Sequence, residues 1–265
     1  MTKLAILGAG NIAYAIASGL VDDDFPPGDV LAADPFPAQL EKFAALGMTT
    51  APSNSDAASG ADLVLIAVKP DVVAEVCQEV AGVAPGAVYV SVAAGITAGS
   101  LCEWLGSGKV VRCMPNTPAL VQEGMMGLYA TAGVSPADRE FVESLFSPVG
   151  RTRWFAEESM IDVVTAVSGS GPAYFFLVME AMQDAALDLG LTADEARLLV
   201  QQTALGAARM ALASDDEVAT LRSNVTSKGG TTHAAVTVLE ENGLRETFAN
   251  AMAAARQRSI ELSGG

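Results

Sequence analysis

Apolar residues follow two rhythms along this chain, and the change from one to the other comes at a single place. Short apolar runs recur in the first part of the chain, Leu4-Ala5-Ile6-Leu7, Val30-Leu31-Ala32-Ala33, Leu63 to Val68, Val88 to Val92 and Val110 to Met114, and the strand signals stop after Arg151 to Phe155. Runs of this length, bounded by turn residues, read as strands buried on both faces. Between them lie stretches with helical spacing, among them Ile12, Ala15, Ile16, Gly19 and Leu20, then Val72 to Val80 and Gly99 to Leu105. Ser135 followed by Pro136 predicts one more helix start, a capping residue with proline in the first turn. Strands alternating with helices predict βαβ units and a parallel sheet covered on both faces. From about Glu157 onward the spacing is helical throughout. The pattern therefore predicts an α/β domain over 1–157 and an all-α domain over 158–265.

The helical half carries its own punctuation. Ser168-Gly169-Ser170-Gly171-Pro172-Ala173-Tyr174 opens an apolar helix expected to reach Leu189 and stop at Gly190. Its glycines allow close backbone approach, and Pro172 suits a first turn. Thr192 to Glu195 reads as a capping box for a helix through about Leu212, and Ser214 to Glu217 as another. The longest apolar tract, Val163 to Met182, is broken by Gly169, Gly171 and Pro172, and reads as a buried helix rather than a membrane span. Because Ala173 to Met182 is apolar around most of its circumference, one thin domain cannot cover it, and a second subunit is expected to do so.

The first run ends in chemistry. Gly8-Ala9-Gly10-Asn11-Ile12-Ala13 is G-x-G-x-x-A placed between a strand and a helix, the context of a Rossmann-type dinucleotide fingerprint. Gly8 permits the tight turn, Gly10 lets the backbone approach a pyrophosphate, and Ala13 keeps the helix close to the sheet. Asp34 closes the second strand about 20 residues further on, where a carboxylate accepts hydrogen bonds from an adenosine ribose. A 2′-phosphate there would meet a negative charge, so Asp34 leans toward NADH over NADPH. Three more strand ends carry unusual loops, Ala67-Val68-Lys69-Pro70, Ser91 to Gly95 and Met114-Pro115-Asn116-Thr117-Pro118. All should line one crevice beyond the carboxyl ends of the strands.

Composition removes several alternatives. The chain has 265 residues, 51% hydrophobic and 17% charged, enough to bury a real core without disordered tracts. A formal net charge of -16 repels nucleic acid and anionic lipid. Cys77, Cys102 and Cys113, with a single histidine, support neither a disulfide framework nor a Cys/His metal site. Met1-Thr2-Lys3 runs straight into the first strand pattern, leaving no signal peptide, and a cytoplasmic protein is expected.

Near the other end, Val225-Thr226-Ser227-Lys228-Gly229-Gly230-Thr231-Thr232-His233-Ala234-Ala235 places two glycines and several hydroxyls before a helical segment. Such an end offers unpaired N–H groups and a positive dipole, a seat for an anion, or else an ordinary cap built on Thr231 or Thr232.

Taken together these strings resemble the pyrroline-5-carboxylate reductase family. The likeness is carried by Gly8 to Ala13, Ala-Val-Lys-Pro at 67 to 70, Ala-Ala-Gly at 93 to 95, Arg-Cys-Met-Pro-Asn-Thr-Pro from Arg112, Ser-Gly-Ser-Gly-Pro-Ala-Tyr from Ser168, and the loop before Ala235. The resemblance implies a homodimer or an assembly of dimers made by the C-terminal helices, with each site between an N-terminal domain and those helices. It implies an NADPH- or NADH-dependent oxidoreductase of proline biosynthesis. Gly8, Gly10, Asn11, Ile12, Ala13, Asp34, Asn54, Val68, Lys69, Ala94 and Asn224 match cofactor-contacting positions. Glu158, Asp215, Gly230, Thr231 and Thr232 match positions around the substrate. Lys228 stands where the family usually has proline, and His233 where it commonly has an apolar residue.

The implied chemistry needs orientation above all: hydride reaches C5 of a cyclic imine, and the ring nitrogen takes a proton from solvent. The N–H groups of Gly229 to Thr232 are expected to bind the substrate carboxylate, and the Thr232 hydroxyl, as catalytic residue, the ring nitrogen. His233 lies one residue further along the helix, turned about 100° away. A β-hydroxyacid dehydrogenase would need a lysine base, and no lysine occurs between Lys109 and Lys228. A reductase of the six-membered piperideine carboxylate, or a nucleotide-binding regulator without turnover, is the alternative reading.

Overall fold

The structure is a computed structural model that describes residues 3–264. The expectations that fall on Met1, Thr2 and Gly265 lie outside the described residues. Packing divides these residues into two units, 3–172 together with 254–264, and 173–253. The expected division at 157/158 follows the change from strand to helix; the packing division comes later and returns the last residues to the first unit.

The first unit is built on eight strands: β1 (Leu4–Leu7), β2 (Val30–Ala33), β3 (Thr49–Thr50), β4 (Leu63–Ile66), β5 (Val88–Ser91), β6 (Val110–Met114), β7 (Gly124–Ala130) and β8 (Gly150–Phe155). They lie in the order β3-β2-β1-β4-β5-β6-β7-β8. The chain moves outward from β1 to β3 and returns to β4, so the order reverses beside β1. In open α/β sheets that reversal opens the ligand crevice. Register brings the strand ends level: Leu7 pairs with Ala33 and with Ile66, and Ile66 with Ser91. Gly8, Asp34, Ala67 and Val92 therefore leave the sheet along one edge.

The sheet is not wholly parallel as expected, since β7 runs antiparallel to β6, with Val111 opposite Ala130. A parallel pair needs a crossover, usually a helix. The connection here holds only a short 3-10 turn, Thr117–Val121.

Helices α1 (Asn11–Asp22), α2 (Pro37–Ala45), α3 (Asn54–Ala58), α4 (Val73–Val80), α5 (Ala98–Leu105), α6 (Pro136–Phe146) and α7 (Met160–Val164) cover the sheet. Alternation along the strands gives each face its own core. Leu4, Ile6, Leu63, Leu65, Val88 and Val90 pack with Ile16 and Leu20 of α1 and Phe146 of α6. Ala5, Leu7, Val64, Ile66 and Tyr89 pack with Val76 and Cys77 of α4 and Leu101 of α5. The end of the chain joins this unit through Ser259, whose buried hydroxyl donates to Asp162 Oδ1 at 2.7 Å.

The second unit is helical: the greater part of α8 (Gly171–Asp188), α9 (Ala193–Ala213), α10 (Val218–Asn224), α11 (Thr231–Glu241) and the first part of α12 (Leu244–Leu262). Thr192 and Glu195 form the expected capping box of α9. The box expected at Ser214 to Glu217 is not formed. Ser214 Oγ instead accepts from the Asp216 N–H at 3.1 Å, a local turn that delays the helix, so that Glu217 becomes the N-cap of α10. Large apolar side chains stand in the open here, with Phe175, Phe176 and Leu177 at 67%, 62% and 64% exposure. Each forgoes about 1.5–3 kcal/mol that burial would contribute. The stretch Met160–Asp188 is long and apolar enough, by length and composition, to cross a membrane.

Candidate active site

The two fingerprint glycines differ in what requires them. Gly8 has φ +95, and its N–H donates to the Ala33 carbonyl at 2.8 Å. A Cβ there would lie 2.8 Å from the Ala67 carbonyl carbon and oxygen and from Val68 Cγ1. The chain itself therefore demands glycine at this point. Gly10 has ordinary extended geometry, φ -74 and ψ -177, and a Cβ on it would meet nothing within 4 Å. It is the N-cap of α1 without a side-chain cap, and no acid lies in the first turn. The first N–H groups of α1, beginning with Asn11 and Ile12, thus have no side-chain cap, a cradle that fits a dinucleotide's phosphates. Ala13, fully buried, keeps α1 against the sheet.

Beside this turn lies a cleft of ≈ 380 Å³ whose walls include Gly8, Asp34, Asn54, Val68, Glu75 and Glu79. Asp34 does more than the ribose contact expected from sequence. Its Oδ2 accepts from the Ala9 N–H and its Oδ1 from the Phe36 N–H, both at 2.8 Å, tying the fingerprint loop to the end of β2. Each oxygen keeps a second lone pair for a ribose hydroxyl. Asn54, first residue of α3, donates from Nδ2 to Glu79 Oε2 at 2.7 Å. The cleft is lined by three carboxylates and by no lysine or arginine.

Lys69 is exposed and precedes the 3-10 turn Pro70–Val72. Ala94 is half-buried on the loop after β5. Its neighbour Gly95, at φ +73, has no room for a side chain, because Leu262 Cβ would be 2.7 Å away.

Glu158, expected near the substrate, is engaged by its own unit. Its Oε1 takes a bond from Arg112 Nη1 at 2.6 Å and another from the Ala98 N–H, at the start of α5, at 2.7 Å. Arg112 is 5% exposed, and removing the partner of so buried a charge costs about 3–5 kcal/mol. The carboxylate also complements the positive end of α5. A clue to this pair was present in sequence, since Arg112 is a charge inside the apolar run Val110-Val111-Arg112-Cys113-Met114. Burial pushes the Cys77 thiol up to about 12 and raises Cys113 as well, which keeps both as inert thiols.

The remaining expected residues belong to the second unit. Gly230 is the N-cap of α11, with φ -81 and ψ 174, and no side chain caps the helix. Neither Thr231 nor Thr232 is the cap that sequence allowed; they are the first two helical residues, because the turn that closes with Gly230 N–H on Ser227 O at 3.0 Å starts the helix one residue earlier. Gly229, at φ +74, supplies the left-handed residue before it. Thr231 and Thr232 are exposed. Asn224 is the last residue of α10, and Asp215 is exposed on the turn before that helix. His233 Nδ1 bonds with Thr237 Oγ1 at 3.1 Å on the exposed helix surface. Among the described residues no cluster of three or more His, Cys, Asp or Glu could hold a metal ion.

Residues 158–262 match the family model described as pyrroline-5-carboxylate reductase dimerisation, and residues 3–95 match NADP oxidoreductase, coenzyme F420-dependent. The pyrroline-5-carboxylate reductase of Pseudomonas aeruginosa is 48% identical over 264 residues, spanning 98% of this chain and 97% of its own. Among solved structures, a pyrroline-5-carboxylate reductase from Coxiella burnetii has a TM-score of 0.94 at 41% identity, covering 99% of this chain and 98% of that one. A pyrroline carboxylate reductase from Plasmodium falciparum, with NADP bound, has a TM-score of 0.88 at 30% identity over 99% of this chain and 98% of its own.

Proposed function

The chain belongs to the pyrroline-5-carboxylate reductase family of NAD(P)H-dependent oxidoreductases, and on that footing we propose how it reduces 1-pyrroline-5-carboxylate to L-proline, the last step of proline biosynthesis. The observation that carries the reading is a pair of helices, α1 and α11, each capped by a glycine with no side-chain cap. They are two anion seats, one for the dinucleotide's pyrophosphate beyond Gly10 and one for the substrate carboxylate beyond Gly230.

The nicotinamide, when bound, supplies the hydride that C5 of the imine accepts. Gly8, Gly10, Asn11, Ile12 and Ala13 seat the phosphates; Asp34 and Asn54 meet the adenosine end. Val68, Lys69, Ala94 and Asn224 complete the cofactor contacts. Gly229, Gly230 and Thr231 present backbone N–H groups to the carboxylate. The Thr232 hydroxyl hydrogen-bonds the ring nitrogen and favours its protonated form, so that the carbon becomes the better electrophile. Solvent provides that proton, which stays on nitrogen as hydride arrives on carbon. Asp215 and Glu158 belong to the substrate side, Glu158 also holding Arg112. The functional division is at 157/158, and the protein is cytoplasmic.

The chain carries a dimerisation domain. The exposed faces of α8 and α9 are covered by a second copy, and dimers are the unit of assembly. Nucleic acid and membrane are not partners of so acidic a chain.

NADH is the preferred cofactor in this reading. Asp34, Glu75 and Glu79 line the adenosine cleft with nothing cationic beside them, and a 2′-phosphate would add two like charges there. Steady-state kcat/KM for the imine with NADH and with NADPH tests both parts. The expected result is imine-dependent NADH oxidation, with the NADH/NADPH ratio falling about tenfold or more in Asp34→Ser. An unchanged ratio would remove Asp34 from cofactor choice. Absence of imine-dependent oxidation would overturn the function, and turnover restricted to the six-membered ring would favour the piperideine carboxylate.

A further inference from the structure

Two of the motifs, Met114 to Pro118 and Ser168 to Pro172, have no part in the reaction as described so far, yet they meet. Pro172 stands in the first turn of α8 and has no N–H, so the carbonyl four residues earlier, that of Ser168, is denied its α-helical donor. The preceding turn, Thr165–Gly169, is a π turn, closed by the Ser170 N–H on the Thr165 carbonyl at 2.8 Å. Asn116, two residues beyond β6, reaches this point. Its Nδ2 donates to the Ser168 carbonyl at 3.0 Å, and its Oδ1 accepts from the Met125 N–H of β7 at 2.9 Å. The amide can face only one way, since a carbonyl must accept and an N–H must donate. Gly169 lies directly on the end of β6, where a Cβ would come 2.6 Å from Met114 Cε.

The place of this junction gives it a role. Sheet order sets the loops after β2, β1, β4, β5 and β6 side by side along one edge. The adenosine cleft lies at Asp34 and Asn54, on the β2 side of the reversal. A dinucleotide crossing the N-terminus of α1 then runs past Lys69 and Ala94 toward β6, so its reacting end faces the Asn116 junction. π turns within helices recur at functional sites.

We propose that Asn116 is a positioning residue for hydride transfer: by supplying the donor that Pro172 lacks, it fixes the π turn and the first residues of α8 as the wall at the reacting end of the cofactor. This rests on the assignment of the strand ends to the dinucleotide. Asn116 works through the backbone of Ser168 and touches neither substrate nor cofactor.

The test is a double-variant cycle on the full chain. Asn116→Asp keeps an acceptor for Met125 and deletes the donor; Pro172→Ala returns a backbone N–H to the Ser168 carbonyl. Asn116→Asp is expected to lower kcat for the imine by about tenfold to a hundredfold, the scale of a small misplacement. The dissociation constant of NADH, whose adenosine end is anchored at the far side of the sheet, should stay within about twofold. Adding Pro172→Ala should recover most of the lost kcat. An unchanged kcat in Asn116→Asp, an equal loss in both backgrounds, or a parallel loss of NADH binding would each overturn the proposal. If Asn116→Asp folds only with Pro172→Ala the proposal stands, and if it fails to fold in either background the proposal falls. An inactive wild-type protein would count against the reductase reading instead.

Discussion

The loops that open α1 and α11 end alike, on a glycine N-cap with no side-chain cap, and are held very differently. The first is fastened on every side within its own unit. Gly8 bonds Ala33, Ala9 bonds Asp34, and Gly8 leaves no room for a Cβ against Ala67 and Val68. The second is held by local bonds alone, from the Gly230 N–H to Ser227 O and from Thr226 to the Ser223 and Arg222 carbonyls, and Thr231 and Thr232 stand in the open. Around the first, strands such as β4 are buried at every residue, whereas α8 exposes Phe175 to Leu177. On the proposed reading, the nucleotide seat is thus held inside a single chain, and the imine seat is the one whose order would depend on another copy covering the helices.

Substitutions can break that comparison from either side. The largest effect is expected at Gly8→Ala, which combines a left-handed backbone, costing roughly 1–3 kcal/mol, with an overpacked contact of roughly 1–3 kcal/mol. Thermal unfolding should show the loss, with NADH binding abolished. Gly10→Ala, whose Cβ meets only open space, should leave stability within about 1 kcal/mol and weaken NADH binding alone. Equal effects of the two on stability would contradict the different reasons given for the two glycines.

On the other side, Thr232→Ala should lower kcat/KM for the imine by one to a few powers of ten, without changing the unfolding temperature or NADH affinity. Steady-state assays giving the wild-type value would remove Thr232 from the chemistry. A smaller effect on the nucleotide seat is the change of cofactor ratio expected in Asp34→Ser.

Much of this was legible in sequence because the central strands are buried on both faces, and continuous apolar runs announce such strands. β7 escaped that reading. Its Gly124, Gly127 and Ala130 are poor strand formers, and the reason for Gly127 is tertiary: a Cβ there would lie 2.5 Å from Val164 Cγ1 of α7. The two-residue β3 is too short to carry a period. The fingerprint was readable as a motif, but the work of Asp34 in bracing the loop was not, because that bond joins residues 25 apart. Glu158 was found by likeness and its partner Arg112 by geometry. Ser214 to Glu217 matched a capping box by spacing alone, and the local turn at Asp216 displaced it. Asn116 stood out only as part of a string until Pro172 created a carbonyl for it to serve.

The central claim, that one chain completes the nucleotide seat but not the imine seat, is tested by separating the copies. Phe176→Glu puts a charge on the exposed apolar face of α8, and dilution of this variant should yield single chains by analytical ultracentrifugation. NADH affinity and imine turnover are then measured on the same sample. The account predicts an NADH dissociation constant within about threefold of wild type, with kcat/KM for the imine lower by about a hundredfold or more. Single chains that reduce the imine at the wild-type rate would contradict it.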